Sequence, residues 1–184
     1  MQNFGKYNDE ELIALMREPK PVSDKAFTEI YNRYSRKIFS YCLCLLRDRD
    51  AVKDVFQDSF INFYNNPPVY NSNVSAYLFT ISRNLCYNVL KKKNYKLPET
   101  DVNMVFDAVE SYENHELFGL LMASLELLDE KYREIYVLRE INGLSFQEIV
   151  EISGLTLPNA KSRFLRAKEK IIKILEPYLN DFCK

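Results

Sequence analysis

The stretch SFQEIVEISGLTLPNAKSRFLRAKEKI, Ser145 to Ile171, decides the reading of this chain. Ser145 and Glu148 match a capping box, in which each side chain satisfies an open backbone donor at a helix start. Ile149, Val150 and Ile152 then face a core until Gly154, whose tolerance of left-handed backbone angles suits the position just past a helix end. Thr156 can cap a second helix with Pro158 in its first turn, where a missing amide donor costs little. Along that helix Ala160, Phe164, Ala167, Ile171 and Ile174 recur at three-and-four spacing and turn inward. Asn159, Lys161, Ser162, Arg163, Arg166 and Lys170 are left outward. A short helix, a tight turn and a longer helix with one basic, hydrogen-bonding face are what major-groove reading requires. The helix fits the groove, its first side chains reach base edges, and Lys or Arg neutralises phosphate.

Upstream the pattern stays helical. Asn8 and Glu11 cap a short helix carrying Leu12, Ile13, Leu15 and Met16, closed by Pro19 and Pro21. A longer helix is expected from near Ser23, with Phe27, Ile30, Tyr31, Tyr34, Ile38, Tyr41, Cys42 and Leu45 as its buried stripe. After a break at Asp48 to Asp50, Val52, Val55, Phe56, Phe60 and Phe63 mark a third helix that stops before Pro67 and Pro68. Asn66 to Asn73 reads as a rigid loop, and Ser72 or Asn73 can cap a fourth helix. That helix turns Leu78, Ile81, Leu85 and Val89 inward and ends in Lys91, Lys92 and Lys93, cations suited to a helix carboxyl terminus.

From Tyr95 to about Asn114 the periodicity weakens, acids accumulate and Pro98 appears, which reads as a flexible acidic linker. Two helices follow. The first carries Leu117, Leu120, Leu121, Leu125 and Leu128, the second Tyr132, Ile135, Tyr136 and Leu138 up to Gly143. The fold class is therefore all-α: two small helical domains, residues 1–95 and 115–184, joined by a linker over 96–114.

With 28% charged residues, a net charge of −1 and 47% hydrophobic residues, the composition is that of a soluble protein. No stretch has the apolar length of a membrane span, and the first residues carry no secretory signal pattern, so a cytoplasmic place is expected. Only four glycines argue against a sandwich or barrel. Cys42, Cys44, Cys86 and Cys183 form no paired spacing for zinc or redox chemistry and read as core or idle thiols. His115, the one histidine, falls beside the acidic segment without partners, and no phosphate loop or nucleophile elbow appears. The expectation is a protein that is not an enzyme and needs no cofactor or metal. Two basic runs, Arg83 to Lys96 and Lys161 to Lys173, flank the acids; on charge alone each reads as a solvated helix face, the alternative being that the two meet a polyanion at two places.

Leu127 to Ile171, with its Y-R-E, L-R-E, G-L-S, E-I and K-S-R pieces in order, resembles region 4 of the extracytoplasmic-function (ECF) group of the sigma-70 family. DAVKDVFQDSFINFY, Asp50 to Tyr64, resembles the region 2 helix centred on a D-L-V-Q-E type motif, and AYLFTISRNLCYNVLKKK the helix after it. The resemblance runs from about Ala26 to Leu175. It implies a transcription initiation factor whose partners are core RNA polymerase, double-stranded promoter DNA and an anti-sigma factor, often membrane-anchored. Region 2 would bind the polymerase clamp through Asp54, Gln57 and Asp58. Tyr70, Asn71, Asn73, Arg83, Asn84 and Lys91 would lie on the minus-10 side, with Tyr70 either stacking a captured base or covering the bundle. Thr156, Asn159, Lys161, Ser162, Arg163 and Arg166 would read the minus-35 element.

Three positions depart from the family's pattern. Lys53 stands where an acid is usual, Phe56 replaces a smaller aliphatic residue, and Leu157-Pro158-Asn159-Ala160 opens the reading helix differently. The alternative function is an autonomous helix-turn-helix regulator, which leaves the Asp50 to Lys93 resemblance without explanation.

Overall fold

The computed structural model describes residues 4–69, 73–92 and 115–182, and in these residues the chain is all-α with no strand. A 3-10 turn at Phe4–Lys6 leads into α1 (Asp9–Leu15), α2 (Val22–Leu46), α3 (Arg49–Asn65) and α4 (Val74–Leu90). The second half holds α5 (His115–Glu126), α6 (Glu130–Tyr136), α7 (Phe146–Ser153) and α8 (Leu157–Phe182). The expected linker, 96–114, lies outside the described residues. His115, beside the acidic segment in sequence, is the first residue of α5.

The caps define the elements. The Asn8 side chain accepts from the Glu11 amide at 2.9 Å while the Glu11 carboxylate accepts from the Asn8 amide at 2.7 Å. Asp48 caps α3 by accepting from the Asp50 and Ala51 amides, and Asn73 caps α4 by accepting from Ala76 at 3.0 Å. Each satisfies donors that a helix start leaves open. Between α5 and α6 a buried cation does the complementary work. The Arg133 guanidinium donates to the carbonyls of Leu125 and Glu126 at the end of α5 and of Leu128 in the turn after it.

Most of the expected stripes are buried: Ile30, Ile38, Tyr41, Cys42 and Leu45 on α2, Val52, Val55, Phe60 and Phe63 on α3, and Ala160, Phe164, Ala167 and Ile171 on α8. Two assignments need correction. Tyr31 is 38% exposed, because its ring joins Phe56 and Phe60 along a groove between α2 and α3 instead of entering the core. On α4 the covered positions are Leu78, Phe79, Ser82 and Cys86, while Ile81, Leu85 and Val89 are only half-buried. The stripe is shifted because α4 packs on α2 and α3 and also on α7 of the second half. One continuous set of buried apolar residues runs from Leu12 to Ile171 through both halves.

α6 does not end at Tyr136 but continues as a π-helical turn, Val137–Ile141, before Asn142 and Gly143 (φ 70°) close it. The wider turn directs Asn142 into the first half, where the Ser40 hydroxyl donates to its side-chain carbonyl at 3.1 Å. The other end of that amide donates to the Val137 carbonyl, so both of its polar atoms are satisfied although the residue is buried.

Candidate nucleic-acid and polymerase interfaces

The helix-turn-helix is built by local chemistry. The Ser145 hydroxyl accepts from the Glu148 amide at 3.2 Å, and the Glu148 carboxylate accepts from the Ser145 amide at 2.8 Å. α7 ends at Gly154, which takes φ 70°, where a side chain would be strained, and donates its amide to Val150 at 2.9 Å. The Thr156 carbonyl accepts from Ala160, starting α8 only three residues later. The two helices are held together by Phe146 and Phe164, rings edge to face at 5.6 Å, with Tyr136 on the other side of Phe164 at 6.1 Å. With Ala160, Phe164, Ala167 and Ile171 committed to that packing, the opposite face of α8 is free.

On that face Thr156, Asn159, Lys161, Ser162 and Arg166 are exposed and Arg163 is half-buried at its edge. The Lys161 ammonium lies over the Phe146 ring at 5.9 Å from its centroid, while the residue as a whole stays exposed. Farther along, Lys170 binds Asp129 at 3.2 Å and lies over Tyr132 at 4.7 Å. The Tyr132 phenol is held below its ordinary pKa, first by the hydrogen bond from Arg166 and then by the nearby lysines. The cationic surface therefore extends from the start of α8 onto α6, which the sequence reading did not include.

Asp54, Gln57 and Asp58 share the exposed face of α3. Beside them opens a groove of about 890 Å³ between α2 and α3, lined by Phe27, Tyr31, Phe39, Phe56, Phe60 and Tyr64, with Lys53 and Gln57 on its rim. Phe56 sits within 6.0 Å of three other rings, so its extra bulk relative to an aliphatic residue is taken up by aromatic packing. Lys53 lies 3.5 Å from Asp50, a loose surface pair. The groove was legible in principle: Phe27, Tyr31, Phe56, Phe60 and Tyr64 supply more rings than one buried stripe absorbs.

The residues expected on the minus-10 side are divided. Tyr70 and Asn71 lie outside the described residues. Asn84 and Lys91 are exposed, and Asn84 borders an open cleft with Asn62, Asn66, Tyr77, Ile81 and Leu85. Asn73, besides capping α4, donates to the Glu148 carboxylate at 3.3 Å. Arg83 is held by Glu134 of the second half, Nε to Oε1 at 2.5 Å and Nη2 to Oε2 at 3.5 Å.

Glu134 is the residue that sequence reasoning missed. It is 2% exposed, and besides Arg83 it accepts from the Tyr87 hydroxyl at 3.0 Å and the Tyr41 hydroxyl at 3.3 Å. Burial pushes both phenols up, and the Glu134 charge adds to it. Burial works against the charged form of Arg83, yet Glu134 outweighs it and holds the guanidinium above its ordinary value. The only signal in the sequence was a pair of charges, Arg133-Glu134, opening an otherwise apolar run to Leu138.

Among the described residues no group of acids, cysteines and histidines is placed to hold a metal, and no helix is long and apolar enough to cross a membrane.

Comparison with known proteins agrees with this geometry. Residues 30–95 match the profile of Sigma-70 region 2 and residues 118–171 that of Sigma-70 region 4, together more than half of the chain. The chain is 27% identical over 183 residues to the ECF RNA polymerase sigma-E factor of Haemophilus influenzae, covering 90% of this chain and 96% of that one. Its fold is like that of CnrH, solved in complex with the cytosolic domain of CnrY (TM-score 0.72, 21% identity, 92% and 97% of the two chains). It is also like the sigma factor RpoE of Bartonella quintana, solved with the anti-sigma factor NepR (TM-score 0.68, 23% identity, 83% and 98%).

Proposed function

This chain belongs to the extracytoplasmic-function group of the sigma-70 family, and from that premise we propose how its own residues direct core RNA polymerase to promoters. The observation that carries the reading is the free basic face of α8, set three residues after a capped, short α7. Laid in the major groove of the minus-35 element, α8 brings Thr156, Asn159, Lys161 and Ser162 to base edges, while Arg163 and Arg166 meet phosphate. Lys131 and Lys170, around Tyr132, extend the phosphate contact along the backbone.

The exposed α3 face with Asp54, Gln57 and Asp58 is the polymerase side, its acids suited to a basic partner surface. Asn84 and Lys91 on α4 and beside it approach the minus-10 element, together with Tyr70 and Asn71, which precede that helix in the sequence. Residues 1–95 and 115–184 act as two modules and 96–114 as their tether, so that two modest contacts add by effective concentration. Working with core polymerase puts the protein in the cytoplasm, as a factor without catalytic chemistry of its own. The relative solved with NepR supports an anti-sigma factor as a further partner here.

Run-off transcription with core polymerase, with and without the purified chain, tests the reading. Transcripts that start at defined sites only when the chain is added are expected. Binding to DNA with no initiation in any template would leave an autonomous helix-turn-helix regulator instead.

A further inference from the structure

The chain leaves α3 through Asn66 and two prolines, Pro67 and Pro68, neither of which carries a backbone donor. Side chains from two other helices hold this stretch. The Tyr77 hydroxyl on α4 donates to the Asn66 carbonyl at 3.0 Å, taking one of the acceptors left open at the end of α3. Arg17, just past the end of α1, donates from Nη2 to the Pro68 carbonyl at 3.3 Å. Pro68 is buried, whereas the next residue, Val69, is 74% exposed. On the far side the chain is fixed again at Asn73, whose side chain accepts from the Ala76 amide at 3.0 Å. Tyr70 and Asn71 stand in the sequence between these two fixed ends.

Arg17 reaches Pro68 from a firm base. α1 is anchored on α2 without it: Leu12 and Ile13 are buried, and Asp9 is bound by Arg33 at 2.9 Å and by the Tyr34 hydroxyl. Loss of the Arg17 contact therefore frees Pro68 and leaves α1 in place. The contact also joins parts of the chain that lie far apart in sequence, since α1 precedes the residues that match region 2 and Pro68 lies inside them. Asn66 and Tyr77 line the open cleft that Asn84 borders, so the stretch held by Arg17 and Tyr77 begins at a wall of that cleft.

We propose that Arg17 is a positioning residue for minus-10 reading: by holding the Pro68 carbonyl it fixes where the chain between α3 and α4 meets the promoter strand. This rests on the reading of the chain as a sigma factor. A side chain that selects a base, by stacking or by edge hydrogen bonds, discriminates only as well as its backbone is placed. The two prolines limit the torsions of that backbone, and Arg17 ties its end to a rigid helix. Arg17 touches no base in this role, and its effect passes through Pro68.

Run-off transcription with core polymerase on templates randomised over the minus-10 positions, followed by sequencing of the templates used, reads the preference directly. Arg17→Ala is expected to lower discrimination between the preferred base and the others about five-fold at one or two positions, the scale of one hydrogen bond. Binding to minus-35 duplex should be unchanged, and Arg17→Lys, which keeps a donor of similar reach, should recover most of the preference. Arg17 is exposed, so the variants should fold as the unsubstituted chain does. Unchanged discrimination in Arg17→Ala overturns the proposal, and so does an equal loss on every template. A salt slope of promoter binding lower by about 1 would make Arg17 a phosphate contact and overturn it as well. A second measurement needs no polymerase: the amide signal of Val69 by NMR should move in Arg17→Ala, and an unmoved signal places Arg17 away from Pro68 and overturns the proposal. If the unsubstituted chain starts no transcript, the sigma-factor reading falls and takes the minus-10 role with it, while the Val69 signal still decides whether Arg17 holds Pro68.

Discussion

The Arg83 guanidinium and the Glu134 carboxylate meet at 2.5 Å across the boundary between the two halves, with the side chain of Glu134 3% exposed and that of Arg83 25% exposed. A charge so enclosed is tolerable only while its partners remain. Arg83→Ala leaves Glu134 with two phenols and no cation, and should cost about 3 kcal/mol, the low end for breaking a buried pair because Arg83 is partly solvated. Thermal unfolding should shift down by about 6 to 12 °C, and Glu134→Gln, which keeps the shape and one of the two acceptor oxygens and leaves no buried charge, should shift it less. Equal and small shifts for both would remove the pair from the account of how the halves hold.

Ser145→Ala deletes one arm of the capping box that starts α7. A loss of about 1 kcal/mol is expected, read as a drop in the midpoint of chemical denaturation with an unchanged slope. Since α7 positions α8 through Phe146, the same variant should weaken minus-35 binding. Unaltered stability would mean that the cap is redundant with the packing of Phe146 on Phe164.

The pH dependence has a defined direction at Glu148. Burial pushes its carboxyl up, but hydrogen bonds from the Ser145 backbone and hydroxyl and from Asn73 prevail, leaving it below its ordinary value of 4.5. A depressed acid stabilises the fold above its unfolded pKa and loses that contribution as pH falls through the folded one. Stability should therefore decline below about pH 4.5, and Glu148→Gln should flatten that part of the curve. A curve that keeps its slope in the variant would assign the acid limb to other carboxylates.

On α8, Arg166→Ala should weaken binding to the minus-35 element similarly on all sequences and reduce the salt slope of log K by about 1. Asn159→Ala, by contrast, should relax preference at one base pair by about 1 to 3 kcal/mol with little change in the salt slope. Measurements by fluorescence anisotropy at several salt concentrations separate the two. A sequence-specific effect at Arg166 would exchange their assignments.

Asp54→Ala and Gln57→Ala remove exposed side chains from α3, so stability should stay within about 0.5 kcal/mol. Affinity for core polymerase should fall while binding of the second half to minus-35 DNA is unchanged. Polymerase affinity equal to that of the parent chain would move the docking face elsewhere, first to the aromatic groove beside it.

What the sequence made legible was whatever local chemistry controls. The boxes at Asn8/Glu11 and Ser145/Glu148, the cap at Asn73 and the left-handed Gly154 are each decided within four residues, and each stands where the spacing put it. The inward face of α8 was equally legible because one partner surface sets it. α4 was not, since it answers to α2, α3 and α7 at once, and the helix from the far half moved its buried stripe onto Phe79, Ser82 and Cys86. Glu134 was beyond reach for the same reason. Its three partners stand 47 to 93 positions away, and a single acid in an apolar run carries no mark of them.

The central claim is that this chain chooses where polymerase starts. Sequencing the 5′ ends of transcripts made on genomic DNA by core polymerase, with and without the purified chain, tests it most directly. A new set of start sites is predicted, sharing two upstream motifs at a fixed spacing, the distal one lost in the Asn159→Ala protein. The same start sites with and without the chain would contradict it.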